Sequence, residues 1–263
     1  MILAAQLYTL RDYTGTAEGF RDALRRCSEI GYQGVQLSAV GCMNGEHPEV
    51  DANAAKRMLD DYNLLCCATH RPWRNFVERL DEEIEFHRIL GCGYTAVGSI
   101  QGDFGEEPES YDLFLKQAEP IAARLEDAGI RFGYHNHSHE FARDRSSGET
   151  CYEKLIAAAW LQLEVDTYWV AHAGICPEQL MRRLRGRIDA VHLKDVEVVP
   201  KDGPVMAPVG EGNLNWPEIL ESCKFCSTEW LIIEQDICRR DPFDCLDSSY
   251  RYLRDALTPI TAS

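Results

Sequence analysis

Short apolar runs rich in β-branched and aromatic residues recur along the whole chain, at residues 2–7, 34–37, 64–69, 94–98, 130–135, 161–165, 188–193 and 230–234. Their starts lie about 30 residues apart, the length of one strand, one helix and two loops. Between them the apolar positions change to helical spacing, as in residues 17–31 (Phe20, Leu24, Cys27, Ile30), 81–90 (Ile84, Phe86, Ile89) and 111–128 (Leu113, Phe114, Ala118, Ile121, Leu125). Glycines close several of these helices, in Ile30-Gly31, Leu90-Gly91 and Ala128-Gly129. Eight strand–helix units in 263 residues predict an α/β fold, a closed (β/α)₈ TIM barrel forming a single domain over residues 1–263. An open dinucleotide-binding sheet would place a glycine-rich loop after its first strand, whereas this chain reads Tyr8-Thr9-Leu10-Arg11-Asp12 there. Residues 102–110 are acidic and turn-rich and read as a solvated loop after strand four. A helix with a proline in its first turn, the last of the chain, is expected to start near Asn215-Trp216-Pro217.

Charge narrows the partners. Lys and Arg total 27 against 43 Asp and Glu, a formal charge of −16 that repels phosphate backbones and anionic headgroups, so neither nucleic acid nor membrane is an expected partner. The first residues lack a signal-peptide pattern and no run is apolar enough to span a bilayer, from which a cytoplasmic protein is expected. The 11 cysteines are scattered and read as reduced, mostly buried thiols. Cys223-Lys-Phe-Cys226 has CxxC spacing but no second pair and no neighbouring histidine.

In such a barrel the chemistry belongs to the C-terminal ends of the strands. Those ends carry Gln6 and Tyr8 on strand one, His70 on strand three, Tyr134-His135-Asn136-His137-Ser138-His139-Glu140 on strand five, Glu164-Val165-Asp166 on strand six, His192-Leu-Lys194-Asp195 on strand seven and Glu234-Gln-Asp236 on strand eight. Buried acids without counter-ions must be neutralised or paired. One divalent ion would resolve this: an imidazole with three carboxylates suits Mn²⁺, Mg²⁺ or Co²⁺, and admits Zn²⁺. The plainer alternative is a hydrogen-bonded polar cluster neutralised by Lys194 and arginines.

The motifs Gln6-Leu-Tyr-Thr-Leu-Arg11, Tyr134-His-Asn-His-x-x-Glu140-Phe, Val165-Asp166-x-x-Trp169, His192-Leu-Lys-Asp195, Gly210-Glu-Gly-Asn213 and Glu234-Gln-Asp236, in this order, resemble the sugar phosphate isomerase/epimerase family with the xylose-isomerase-like TIM barrel. The resemblance covers nearly the whole chain. It implies one metal ion held by Glu140, Asp166, His192 and Glu234, with His137 or His135 as the alternative donor from the strand-five segment. A DNA-repair branch of the same superfamily has a histidine where this chain has Trp169, and the charge of −16 opposes duplex binding.

Unphosphorylated sugar or keto-sugar chemistry is expected, because Val209-Gly210-Glu211-Gly212-Asn213 sets an acid where a phosphate site wants cations; a plain glycine turn is the other reading of this loop. The expected reaction is isomerisation or epimerisation by metal-assisted proton transfer next to a carbonyl. The alternative outcome is elimination, as in a lyase acting on a 3-oxo-glycoside or an inosose-like ketone. Glu140 and Glu234 are the candidate acid/base pair, with His137 and Lys194 in reserve. Tyr8, His70, Trp73, Trp169, Asp236, Gln6 and the 102–110 segment are expected to face the substrate, Trp169 having core packing as its alternative. A barrel that binds sugar without turning it over is the competing class. Self-association is compatible with the sequence.

Overall fold

A computed structural model describes residues 1–45, 47–105, 107–145 and 147–258. Eight parallel strands close a barrel: β1 (Ile2–Gln6), β2 (Gly34–Leu37), β3 (Leu65–His70), β4 (Tyr94–Val97), β5 (Arg131–His135), β6 (Gln162–Asp166), β7 (Ala190–Leu193) and, after an antiparallel hairpin of β8 (Asp195–Val199) and β9 (Gly203–Ala207), the last barrel strand β10 (Trp230–Ile233). Strand β10 pairs with both β7 and β1, which closes the ring. Every apolar run singled out in the sequence forms a barrel strand, with ends that differ by one or two residues.

The helices pack outside with one apolar stripe inward. In Ala17–Ile30, Phe20, Ala23, Leu24 and Cys27 are buried at helical spacing, and the Thr16 side chain caps the first turn by accepting from the Gly19 amide. The helix Trp216–Cys226 starts where Pro217 led one to expect, but a further helix, Pro242–Leu257, follows it and packs on Ala17–Ile30. The 102–110 segment is only partly a loop: Gln101–Phe104 is a short helix and the long helix Pro108–Asp127 begins before the segment ends, while Glu106 lies outside the described residues. The β8–β9 hairpin was not expected from the sequence. Its alternating, partly exposed residues do not make an apolar run, and Val198 is among the most exposed apolar side chains.

The lower interior of the barrel is filled by two large rings against small residues. Trp230 and Tyr94 pack with Ala4, Ala68, Ala96, Ala190 and Ile232. A Cβ on Gly34 would stand 2.9 Å from the Trp230 ring and one on Gly133 only 2.2 Å from the Tyr94 hydroxyl, so the rings occupy the space that side chains on β2 and β5 would take. All 11 cysteines are free thiols and nine of them are buried, Cys223 and Cys226 included. Among the described residues no helix is long and apolar enough to cross a membrane.

Candidate metal centre and cleft

Above this apolar plug the strands turn polar. Side chains alternate in and out along a strand, so residues two places after an interior apolar position also face inward. Those places hold Gln6, Gln36 and His192, and Glu164 of β6 joins them; all four are fully buried. Gln6 Nε2 donates to Gln36 Oε1 (2.8 Å), Gln36 Nε2 donates to Glu164 Oε1 (2.9 Å), and His70 Nε2 lies 2.5 Å from Glu164 Oε2. His192 Nε2 is 2.6 Å from Gln36 Oε1 and 3.3 Å from Glu164 Oε2.

On the other side of the His192 ring, Asp166, Glu234 and His135 converge with it: each of the four offers one donor atom, and these atoms lie within 4.8 Å of one another. Local structure fixes them. Asp166 ends β6 and caps the helix Thr167–His172, its Oδ1 accepting from the Trp169 amide (3.0 Å), while its own amide donates to Asn136 Oδ1 (3.0 Å). Oδ2 remains, 3.2 Å from His135 Nε2 and 3.0 Å from Lys194 Nζ. Lys194 is buried and its ammonium also meets Glu234 Oε2 (2.8 Å) and Asp236 Oδ1 (2.8 Å). The Thr167 hydroxyl, which donates to the Lys194 carbonyl (2.8 Å) and accepts from its amide (3.0 Å), ties this end of β7 to β6.

Burial works against charge throughout, and the neighbours decide the outcome. At His192 the carboxylates of Glu164 and Glu234 overcome burial and lift the imidazole to about 10. Glu234 is held well below the usual carboxylate range, against its burial, by Lys194 and His192; Asp166 is lowered in the same way by Lys194 and His135. Asp236 goes the other way, pushed up to about 6 by burial and by the charge of Glu234. Burial and the neighbouring His135 push His137 down to about 3, leaving it a neutral imidazole.

The four-donor set fits a divalent ion. His192 Nδ1 and Glu234 Oε2 approach to 2.7 Å and Glu234 Oε2 is 2.8 Å from Lys194 Nζ, so without an ion the carboxylates are balanced by Lys194 and a protonated His192. A divalent cation would take the place of the His192 proton, and two imidazoles with two carboxylates are then an ordinary donor set for it.

Glu140, expected as the fourth ligand, is not brought to this group. It sits in a 3₁₀ turn (His139–Phe141), fully buried, with Oε1 accepting from the Tyr134 hydroxyl (2.7 Å) and Oε2 from the His137 amide (2.8 Å). Three residues past His137, its carboxylate folds back onto its own turn, and His135, the residue that ends β5, takes the place in the four-donor set.

Over the centre opens a cleft of about 480 Å³ whose lining includes Tyr8, His70, Trp73, His137, Lys194, Glu234 and Asp236. Of the 102–110 segment, Asp103 reaches it. Arg11 fixes Tyr8 by stacking over its ring (4.4 Å) and donating to the Asp236 carbonyl (3.0 Å). Trp73 is buried, edge-on to Phe114 at 5.3 Å. Gln6 lies in the buried layer below, and Trp169 stands beside the His137 ring (5.5 Å), with Lys194 Nζ 5.7 Å over its face. The sequence reading did not single out Gln36, or Arg71, which lines the cleft and pairs with Glu83 through two 2.8 Å bonds. A polar residue inside an otherwise apolar strand was the available signal for Gln36.

The glycine loop is held from within. Asp195 accepts from the amides of Gly210 (2.9 Å), Gly212 (3.0 Å) and Leu214 (3.2 Å) and from Trp216 Nε1 (2.6 Å). A Cβ on Gly212 would stand 2.4 Å from that carboxylate. Glu211 is paired with Arg240 at 2.6 Å. The loop's amides are therefore engaged with an internal acid, the turn reading of this motif.

A curated inosose dehydratase of Clostridium beijerinckii is 21% identical over 92% of this chain and 91% of its own length. Among solved structures, a protein described as a sugar phosphate isomerase/epimerase from Parabacteroides distasonis superposes with a TM-score of 0.79 at 20% identity, over 98% of this chain and 96% of the other. The probable 3-DHS dehydratase AsbF from Bacillus anthracis gives 0.72 at 15% identity over 97% and 99%. The model of the xylose isomerase-like TIM barrel family matches residues 24–255, and with the closed eight-stranded barrel this makes the chain a member of that family.

Proposed function

We propose that this protein is a metal-dependent enzyme that removes a proton next to the carbonyl of an unphosphorylated polyhydroxy ketone and expels water from the neighbouring carbon. The observation that carries this reading is the buried set of His135, Asp166, His192 and Glu234 at the floor of a polar cleft. A divalent ion held by these four would act as a Lewis acid on the substrate's carbonyl and adjacent hydroxyl oxygens. With two nitrogen and two oxygen donors, Zn²⁺, Co²⁺ and Mn²⁺ suit the set better than Mg²⁺.

The chain's own groups then divide the work. Lys194 stays charged, because Asp166, Glu234 and Asp236 surround its ammonium, and so offers a fixed positive charge to the oxygen where negative charge develops. A cleft carboxylate, Glu234, takes the proton from carbon; the electron pair of that C–H bond forms the C=C bond as the C–O bond of the neighbouring carbon breaks. Asp236, raised to about 6, is the cleft carboxyl matched to protonating the departing hydroxide. Elimination is favoured over epimerisation on two grounds. The curated relative named above is an inosose dehydratase, and Glu140, which would return a proton from strand five, is engaged within its own turn. Isomerisation is the second reading, favoured by His70, a proton carrier that lines the cleft from β3. The absence of free loop amides supports an unphosphorylated substrate.

The test is solvent-deuterium exchange and enone absorbance over a panel of inososes, ketoses and 3-oxo-glycosides, each with Mn²⁺, Co²⁺, Zn²⁺ and Mg²⁺. Metal-dependent absorbance with an inosose or other cyclic ketone is expected. Exchange without absorbance would move the assignment to isomerisation, and turnover without exchange on any substrate would overturn the proton-transfer mechanism.

A further inference from the structure

We infer that the turn after β5 forms a second divalent-metal site, made by His137 Nδ1, His139 Nε2 and Glu140 Oε1 and separate from the four-donor centre. These three donor atoms also lie within 4.8 Å of one another. His139 Nε2 is 3.1 Å and His137 Nδ1 4.0 Å from Glu140 Oε1, yet neither ring nitrogen makes a hydrogen bond, and both atoms are shielded from solvent. Two buried ring nitrogens without an aligned hydrogen bond thus flank a carboxylate oxygen that has room for a further partner beside the Tyr134 hydroxyl, a set of donors that one cation can share.

The supporting contacts fit the same role. The Tyr134 hydroxyl and the His137 amide hold the two Glu140 oxygens, so the carboxylate is oriented before any ion arrives. The imidazoles of His137 and His139 stack 5.5 Å apart with an 18° tilt, each presenting one nitrogen to the acid. The local fold holds the three close: the 3₁₀ turn His139–Phe141 folds the Glu140 side chain back, so that its Oε2 accepts from the amide of His137 three residues earlier. Two imidazoles and one carboxylate are the donors of an open Zn²⁺ or Co²⁺ site, with a fourth position left for water or a substrate oxygen. Since His137 lines the cleft and its ring is 4.9 Å from that of His135, the second ion would sit beside the first at the end of one strand.

This inference does not depend on the reaction proposed above, and its test keeps the two apart. Metal-free full-length protein is dialysed against Zn²⁺ and the bound metal counted per chain, with folding checked by circular dichroism, for the wild type, His139→Ala, His139→Gln and Asp166→Asn. His139 is partly exposed, which makes its variants the mild ones. Two ions in the wild type, falling to one in each His139 variant and to one in Asp166→Asn, is the expected result. One ion in the wild type that survives both His139 substitutions, or two ions that survive them, overturns the second site. One ion that is lost with His139 but kept in Asp166→Asn supports this site and defeats the four-donor centre instead. Co²⁺ titration gives a second reading, in which the visible bands of the His139 variants should lack one component present in the wild type.

Discussion

The lower and upper halves of the barrel interior are built on the same strands, two residues apart, and share almost no chemistry. On β1 the step is from Ala4 to Gln6, on β2 from Gly34 to Gln36, on β3 from Ala68 to His70, on β7 from Ala190 to His192, and from Ile232 on β10 to Glu234 just beyond it. Each step advances about 6.6 Å along its strand. Below, stability comes from filling space: two rings occupy the volume that glycines and alanines leave. Above, the buried acids and amides are satisfied largely through one another and through Lys194 and the histidines His70, His135 and His192. The lower half can thus be damaged without touching chemistry, and the upper half can lose its chemistry while the fold stands.

The sharpest way to break that division is Trp230→Ala. It should cost about 3–5 kcal/mol of stability through the cavity it opens, read by denaturant unfolding, while metal content and turnover per folded molecule stay near wild type. Loss of metal binding in the folded fraction would show that the halves are not separable. Glu234→Gln probes the other side: turnover should fall about 10²–10⁴-fold with an unfolding midpoint close to wild type, measured by steady-state kinetics and thermal melting. Full activity in that variant would remove Glu234 from the proton transfer.

Asp195 lies between the two cases, since it is buried yet serves only a loop. Asp195→Asn should cost roughly 2 kcal/mol, because the new amide sets donors against the amides of Gly210, Gly212 and Leu214; chemical denaturation should detect this, and proteolysis near residue 211 should accelerate. The smallest effect belongs to pH. Glu83 is held below the usual carboxylate range, against its burial, by Arg71 and Asn75. Its folded-state value is lower than its unfolded one, so its contribution is complete above the unfolded value of about 4.3 and disappears as pH falls through the folded value. Glu83→Gln should therefore lower stability most at neutral pH and least in acid, flattening the acid limb of the profile, as followed by melting between pH 7 and pH 3.

The same division explains what could be read without coordinates. Apolar runs and glycine stops define the eight strands, because strands buried on both faces cannot be polar for long. Asp166, His192 and Glu234 stood at strand ends and come together. Glu140 does not join them because the polypeptide has already turned: a carboxylate three residues beyond His137 is aimed by a 3₁₀ turn, which the spacing His-x-His-x-x-Glu does not reveal. His135, which ends β5, was the residue whose position followed from strand geometry alone. Gln36 and Glu164 were visible as polar residues within apolar strands, but their partners Gln6 and His70 lie 30 and 94 residues away, distances that only the closed barrel brings to contact. The β8–β9 hairpin carries no strong pattern since one of its faces meets solvent.

The pairing of β1 with β10, which joins Ile2 to Trp230 in register, has a consequence for how the protein comes into being. At synthesis rates of about 5–20 residues per second, the first strand waits roughly 10–45 s for its last neighbour. During that interval β1 is an open edge, and the residues that the finished barrel hides at its mouth face solvent or chaperones. Glu234 comes directly after the closing strand, so the acid that completes the centre arrives with the ring closure itself. The nascent chain would hold no complete four-donor site until the barrel is shut.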